Sequence, residues 1–536
     1  RSGRPALQEG APLPLDRGGQ TLTDLLARAA QEAPDHGIAF LSRNAAPDEA
    51  GFLSYPQLRA AALQIAGGLL ALGLKPGQPV LTVFPETEDR AALCAIWGVI
   101  HAGMVPVPLQ RSRDMLPDEP LTRRLCDAAE LLAEAPLICD DGAAGMIGAH
   151  LPGRQVLPLY DLALTGDALP APVAVDRTAA AMFFLTSGST AKPKIVHQTH
   201  HSILSQAQGS CLQNAMTRQD VSLNWLPLDH VGSFIMLHLR DMYVGARQIR
   251  AVGADVLRDP LIWLDWLSAY RVTSGWAPNF AFDLIVSELE AHPKRGPWDL
   301  SALRFLLNGG EAVIRATMRS FVQALLPHGT PRTVVRPAWG MSETCSGVVH
   351  DTGFDPLAGW AEGPVSVGSP IPGARLRIAD PAAPERMLQE GETGLLQVSG
   401  ETVPTGYYQN PDQTRAAFTA DGWFDTGDLG RIEGGTLSIT GRKKDVLIVN
   451  GLNINPGDVE ARLALVDGVR PASTAVLAFG ADQGEADRIA VFFVPEAEGA
   501  PMAPLVASLR MVMAAELGLP VDVIVALDEA EMPRTS

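Results

Sequence analysis

The strand–helix–strand cadence near the start of the chain constrains its fold more than any other feature. Residues Ser54 to Gly73 place Leu58, Ala62, Ile65, Leu69 and Leu72 on one helical face; Ser54 and Gln57 form a capping box, and Gly73 and Pro76 stop the helix. Val80 to Phe84 is an unbroken apolar run of strand length, Asp89 to His101 reads as a helix, and Met104 to Val107 reads as a strand. Strands apolar on both faces and joined through a helix lie parallel in a covered sheet, so the expected class is α/β.

The cadence returns twice. A helix near Ser202 to Cys211, a strand near Val221 to Leu226 and a helix near Phe234 to Tyr243 make one further unit; Trp263 through Thr273 and Phe282 to Leu307 make another. After Gly363 the texture changes to short strands rich in glycine, such as Ala374 to Ile378 and Gly394 to Val398, which imply a smaller β-rich part. Leu169 to Val173, rich in proline, reads as a linker. Gly441-Arg-Lys-Lys-Asp445 reads as a charged joint; a strand Val446 to Val449, a turn at Asn450-Gly451 and a helix capped by Asn455 with Pro456 at its first position follow. The length of 536 residues suits roughly two to four structural units.

Composition narrows the partners. A formal charge of −18 argues against a nucleic-acid surface. Five cysteines (Cys94, Cys126, Cys139, Cys211, Cys345), widely spaced and without metal-ligand spacing, read as reduced thiols of a cytoplasmic protein. The most apolar window, Ala91 to Leu109, is broken by His101, Gly103, Pro106 and Pro108, so it is expected in a buried helix and strand, not in a membrane. Beginning at Arg1 with no signal peptide, the sequence reads as a piece of something longer.

Chemistry concentrates in four segments. Thr186-Ser-Gly-Ser-Thr-Ala-Lys-Pro-Lys194 follows an apolar run and combines small residues, hydroxyls and two lysines, a combination that suits a phosphate but also a plain surface turn. It lacks the Walker pattern. Trp339-Gly-Met-Ser-Glu-Thr344 sets an aromatic ring beside a hydroxyl and a carboxylate. Asp421-Gly-Trp-Phe-Asp-Thr-Gly-Asp-Leu-Gly430 ends on Asp428, a carboxylate suited to a vicinal diol and equally to a β-turn. Asn308-Gly-Gly-Glu-Ala312 reads as a strand end open to a flat ligand, with Glu311 given no role.

Together these segments resemble the adenylate-forming superfamily of acyl-CoA synthetases, luciferases, fatty-acyl-AMP ligases and nonribosomal peptide synthetase adenylation domains. The likeness runs from about Leu22 to Ser536. Trp225-Leu-Pro-Leu-Asp-His-Val-Gly232, Leu257 to Leu267 and Ser274 to Phe282 look most similar to fatty-acyl-AMP-ligase-like loading domains of polyketide and peptide megasynthases. The implied fold is a large domain over residues 1–441, with two stacked parallel-sheet α/β subdomains and a β-rich subdomain, followed by a small mobile α+β domain over 442–536. The implied reaction activates a carboxylic acid with ATP and Mg2+ as an acyl-adenylate and passes it to the phosphopantetheine of a carrier protein. Coenzyme A as acceptor, an amino-acid substrate and a silent nucleotide-binding platform stay open as alternatives.

The resemblance assigns residues one by one. Thr186, Ser187, Ser189, Thr190 and Lys194 handle phosphates; Trp339 stacks on adenine beside Gly310 and Gly340; Ser342 meets phosphate; Glu343 holds magnesium; Asp428 and Arg442 bind ribose; and Lys444 is the hinge. Gly309, His230, Trp276 and Met341 shape the acid pocket, where Asp229 is the candidate partner for an ammonium group. Arg240 and Asp241 are expected as a surface ion pair or as readers of a polar acid. Two departures stand out: Ala191 replaces a glycine, and Pro533-Arg-Thr-Ser536 stops before the late lysine, whose loss slows adenylation about 10²- to 10³-fold.

Overall fold

The computed structural model describes residues 3–14, 19–42, 51–186, 193–359, 364–443, 447–449, 452–454, 456–479, 488–497, 499, 501–516, 521–528 and 531–532. The helix Tyr55–Ala71 begins on the expected capping box, with Ser54 and Gln57 bonded reciprocally, and buries Leu58, Ala62, Ile65 and Leu69. Leu72 falls at the C-cap and stays exposed. The strand Pro79–Phe84, the helix Asp89–His101 and the strand Val105–Gln110 follow, and the two strands pair in parallel. With Leu137–Cys139 and Val156–Pro158 they form a four-stranded parallel sheet.

The larger sheet carries the site. Its parallel part comprises Gly37–Leu41, Arg247–Ala251, Val221–Asn224, Ser274–Ala277, Phe305–Asn308 and Val335–Met341. Antiparallel pairing then joins Ser346–His350 and Ser366–Pro370, so the β-rich region hydrogen-bonds into the same sheet instead of standing apart from it. Ala180–Thr186 and Lys194–Thr199 form a separate antiparallel hairpin.

Where a regular helix was expected from Phe234 to Tyr243, a π-helix runs Gly232–Leu239 and an α-helix Arg240–Val244 follows. Arg240 and Asp241 are fully buried there, and the guanidinium donates two bonds to one carboxylate oxygen at 2.9 and 2.7 Å. The surface-pair expectation is thereby overturned. Neighbouring charges i and i+1 carry no burial signal of their own, and here the fold covers the face that holds both.

Toward the C-terminus, Leu447–Val449 pairs with Leu452–Ile454, and the helix Pro456–Leu463 starts on the expected proline. Val469–Phe479, Arg488–Pro495 and Val523–Ala526 make a three-stranded sheet whose apolar residues cluster with Val459, Leu463, Leu505 and Leu509. Among the described residues no helix is long and apolar enough to cross a membrane.

Candidate active site

Trp276, Asn308 and Met341 sit at the carboxyl ends of the parallel strands, where open α/β sheets bind ligands, while Asp428 and Arg442 lie on neighbouring antiparallel strands. Trp276 pairs with Leu307, and Ala277 with Asn308, so the last turns of these strands lie side by side, next to Pro337 on the following strand. Met341 ends that strand, and the short 3₁₀ turn Ser342–Thr344 presents Glu343.

One group forms around Asp428. The Trp339 indole N–H donates to Asp428 Oδ2 at 2.9 Å, and Arg442 Nε lies 3.1 Å from Asp428 Oδ1. Asp428 and Arg442 face each other across adjacent antiparallel strands, which brings the two candidate ribose residues together. Trp339 is largely buried, with its ring edge fixed by that bond. Gly340 has a structural reason to be glycine: a Cβ there would stand 2.0 Å from the Ser346 carbonyl oxygen. Gly309 is similar, with the Ala338 carbonyl oxygen at 2.6 Å from an added Cβ.

A second group centres on Glu343. Its Oε1 accepts from the Tyr407 hydroxyl at 2.9 Å, and Lys194 Nζ lies 4.7 Å from the centroid of the same ring. Burial pushes the Glu343 carboxyl above the usual range; the Tyr407 hydrogen bond and the charges of Lys194 and Arg442 pull the other way. Burial and the adjacent carboxylate push the Tyr407 phenol up, so it remains a donor. Gln198 Nε2 donates to the Ser342 carbonyl at 2.9 Å. Thr186 and Lys194 face each other at the loop end of the hairpin, while Ser187, Ser189, Thr190 and Ala191 lie outside the described residues, as do Lys444, Asn455 and Pro533 to Ser536.

The acid-pocket candidates form a third group. His230 and Trp276 stack with centroids 5.5 Å apart and planes at 15°. A Cβ on Gly232 would meet the Trp276 indole at 2.9 Å, and one on Gly310, whose φ is +88°, would meet it at 3.1 Å. Burial lowers the His230 pKa, which keeps the ring neutral. The π-helix is anchored below: Ser233 Oγ donates to the Leu226 carbonyl at 2.8 Å, and Arg250 binds Ser233, the Leu226 carbonyl and the buried Asp89. Asp229 is buried, and its Oδ2 lies 3.1 Å from Arg124 Nη1, with the Gln110 N–H at 3.4 Å. Arg124 also reaches the carbonyl of Leu185, on the hairpin strand Ala180–Thr186, at 3.5 Å.

Glu311 accepts from the Phe280 N–H at 2.6 Å, at the start of the helix Asn279–Ala291. Cys345 is fully buried, and burial pushes its thiol up to about 12, the opposite of an activated nucleophile. A cleft of about 610 Å³ lined by Gln64, Glu88, Cys94, Asp140 and Tyr160 gathers none of these motif residues.

Sequence reasoning overlooked Tyr407, Arg124 and Gln198. Tyr407 had one available signal, two adjacent tyrosines in a chain with only six.

A fold of this kind with a carboxylate, a ring and cations at its strand ends defines a nucleotide-using α/β enzyme. The chain belongs to the AMP-binding enzyme family, whose model matches residues 26–408, and it is an ATP-using, adenylate-forming ligase. It is 30% identical over 492 residues to "Atromentin synthetase" of Tapinella panuoides, covering 89% of this chain and 50% of that one. The chain spans about half the length of the curated relatives it matches.

Among solved structures, that of McyG A-PCP complexed with phenylalanyl-adenylate superposes with a TM-score of 0.86 at 33% identity, covering 99% of this chain and 82% of that one. The adenylation domain of a keto acid-selecting NRPS module bound to keto acyl adenylate gives 0.80 at 33% identity, covering 98% and 100%. Fatty acyl-adenylate ligases from E. coli and L. pneumophila share the fold at 0.80 and 23% identity, covering 96% and 94%.

Proposed function

We propose that this chain activates a carboxylic acid without a free amino group and passes the acyl-adenylate to the phosphopantetheine thiol of a carrier protein. The observation that carries the acid class is the Arg124–Asp229 contact: the buried carboxylate beside His230 already faces a guanidinium, which opposes an incoming ammonium. The likeness to a keto acid-selecting module supports this reading.

In the reaction, an oxygen of the acid attacks the α-phosphorus of ATP, the bond to the bridging oxygen breaks, and pyrophosphate leaves. Asp428 and Arg442 orient the ribose. A carboxylate can accept about four hydrogen bonds, so holding Trp339 and Arg442 is compatible with accepting from ribose hydroxyls. Lys194, Thr186 and the loop residues Ser187, Ser189 and Thr190 carry the phosphates, and Ser342 lies on the turn beside them. Gly309, Met341, His230 and Trp276 enclose the acid, and Gly310, expected beside the adenine, also packs against Trp276.

Glu343 would hold magnesium. The site fits this ion: its donor is a hard carboxylate oxygen, and magnesium is commonly held by one or two carboxylates plus substrate phosphates. Among the described residues no cluster of three His, Cys, Asp or Glu offers an all-protein cage. When bound, the ion supplies charge neutralisation for the phosphates.

Residues 442–536 act as a separate mobile domain turning about Lys444, which exposes the adenylate to the thiol. The five cysteines, partly or fully buried and none of them disulfide-bonded, suit the cytoplasm.

Amino-acid activation is the second reading, favoured by the phenylalanyl-adenylate in the McyG structure. Coenzyme A in place of the carrier, or a silent docking platform, would follow from other outcomes of one experiment. The protein is incubated with ATP, Mg2+ and pooled keto, fatty, aryl and amino acids, and acyl-AMP is read by mass spectrometry before a carrier or coenzyme A is added. An adenylate of a non-amino acid, transferred to the carrier, is the expected result. An aminoacyl adenylate overturns the acid class, acyl-CoA overturns the acceptor, and no adenylate supports the platform.

A further inference from the structure

We propose that Tyr407 is a positioning residue that holds the Glu343 carboxylate and the Lys194 ammonium in one fixed geometry at the phosphate end of the site. The inference rests on reading Glu343 as the magnesium residue and Lys194 as a phosphate contact. One side chain touches both charges: its hydroxyl donates to Glu343 Oε1 at 2.9 Å, and its face lies 4.7 Å from Lys194 Nζ. The hydroxyl fixes one carboxylate oxygen while lone pairs on the group stay accessible to a cation. The ring face attracts the ammonium without neutralising it, so the lysine is steered but not consumed by an ion pair.

The backbone explains why this contact is rigid. Residues 406 to 408 pair with the hairpin strand Lys194–Thr199: Val196 bridges to Tyr407, the His197 N–H donates to the Gly406 carbonyl at 3.0 Å, and the Tyr408 N–H donates to the Ile195 carbonyl at 2.9 Å. The Tyr407 N–H is itself held by Thr414 Oγ1 at 3.0 Å. From the same hairpin strand, Gln198 grips the Ser342 carbonyl. The hairpin that carries the phosphate loop is therefore locked to the Glu343 turn at two points, one on the backbone and one through Tyr407. A displacement of either would misplace both charges together.

The test compares Tyr407→Phe, which keeps the ring and removes the hydroxyl, with Tyr407→Leu, which removes both. Isothermal calorimetry measures ATP affinity with Mg2+ and with EDTA. A hydrogen bond to a charged group is worth about ten- to a hundred-fold in affinity. Tyr407→Phe should lose that factor from the Mg2+-dependent part of ATP binding and keep its affinity in EDTA. Tyr407→Leu should lose affinity in EDTA as well.

In a Glu343→Gln background the Tyr407→Phe effect on Mg2+-dependent binding should vanish, which separates positioning from general damage. Wild-type binding in Tyr407→Phe under both conditions overturns the inference, and so does an equal loss with and without Mg2+. If the wild-type chain binds ATP equally with and without Mg2+, the reading of Glu343 falls first and the inference falls with it.

Discussion

Gly232→Ala isolates the acid pocket from the nucleotide site. The added methyl would stand 2.9 Å from Cη2 and Cζ3 of Trp276 and 3.2 Å from His230 Nδ1, whereas carbon contacts settle near 3.5–4.0 Å. The indole must therefore give way by about half an ångström or more. It cannot tilt freely, because it is stacked on His230, and Gly310 packs close to its Cζ2, where an added Cβ would stand 3.1 Å away. Overpacking of this kind costs about 1–3 kcal/mol, or roughly five- to 150-fold if it falls on ligand binding. Pyrophosphate exchange over a graded series of acids is the assay. The KM for the acid should rise, more for bulky acids than for small ones, with the KM for ATP unchanged. An ATP KM that rises in step, or a penalty independent of acid size, would refute the placement of Trp276 and His230 in the acid pocket.

Arg124→Met leaves the buried Asp229 without its counter-charge and should cost about 1–3 kcal/mol in a denaturant titration. Exchange with amino acids should rise relative to their keto analogues, and an unchanged ratio removes the acid-class reading. Glu343→Gln should abolish exchange yet leave the protein at least as stable as wild type at pH 7. Burial raises the folded pKa of Glu343, so its ionised form costs stability above that pKa, and the cost disappears as pH falls below the unfolded value. The advantage of the variant in thermal midpoint should shrink accordingly in acid; an advantage that grew would contradict the argument.

Four buried histidines should also destabilise the wild type in acid: His101, His200 and His238, whose pKa burial lowers to about 4, and His350, lowered to about 3. Their contribution is complete above the unfolded value of 6.5 and is lost as pH falls toward those folded values, at up to about 1.4 kcal/mol per pH unit for each. A guanidinium midpoint that stayed level from pH 7 to pH 4.5 would refute this.

Local rules made the scaffold readable. The Ser54–Gln57 box, the helix Asp89–His101 and the Pro456 helix start each depend on residues within a few positions of one another, and each appears at its expected place. Asp428 and Arg442 were legible as a pair because each belongs to a recognisable motif. Tyr407 was not, since its partner Glu343 lies 64 residues away and reaches it only through the pairing of Tyr407 with the hairpin strand. Arg124 escaped for the same reason: on the amphipathic helix Pro120–Leu131 it reads as a solvated charge, and only the fold turns it toward Asp229. The π-helix had no local signature, because its residues are mostly apolar and any helical pitch would bury them.

The buried ion pairs explain how such a pocket can be precise without adding stability. Arg250 with Asp89 and Arg240 with Asp241 lie close beneath and behind the π-helix, and both carboxylates are driven upward in pKa by burial, with the paired arginine pulling each back. Replacing such a pair by apolar residues is often neutral or stabilising, whereas removing one member costs about 3–5 kcal/mol. Their effect is therefore on geometry more than on net stability. Arg250 binds the Leu226 carbonyl and Ser233 at once, which fixes where Gly232, and with it the Trp276–His230 stack, must stand. The acid specificity of this chain would then be changed most cheaply at the rim, through Arg124, Gly232 or Gly310, and least cheaply at the charged floor that holds them in register.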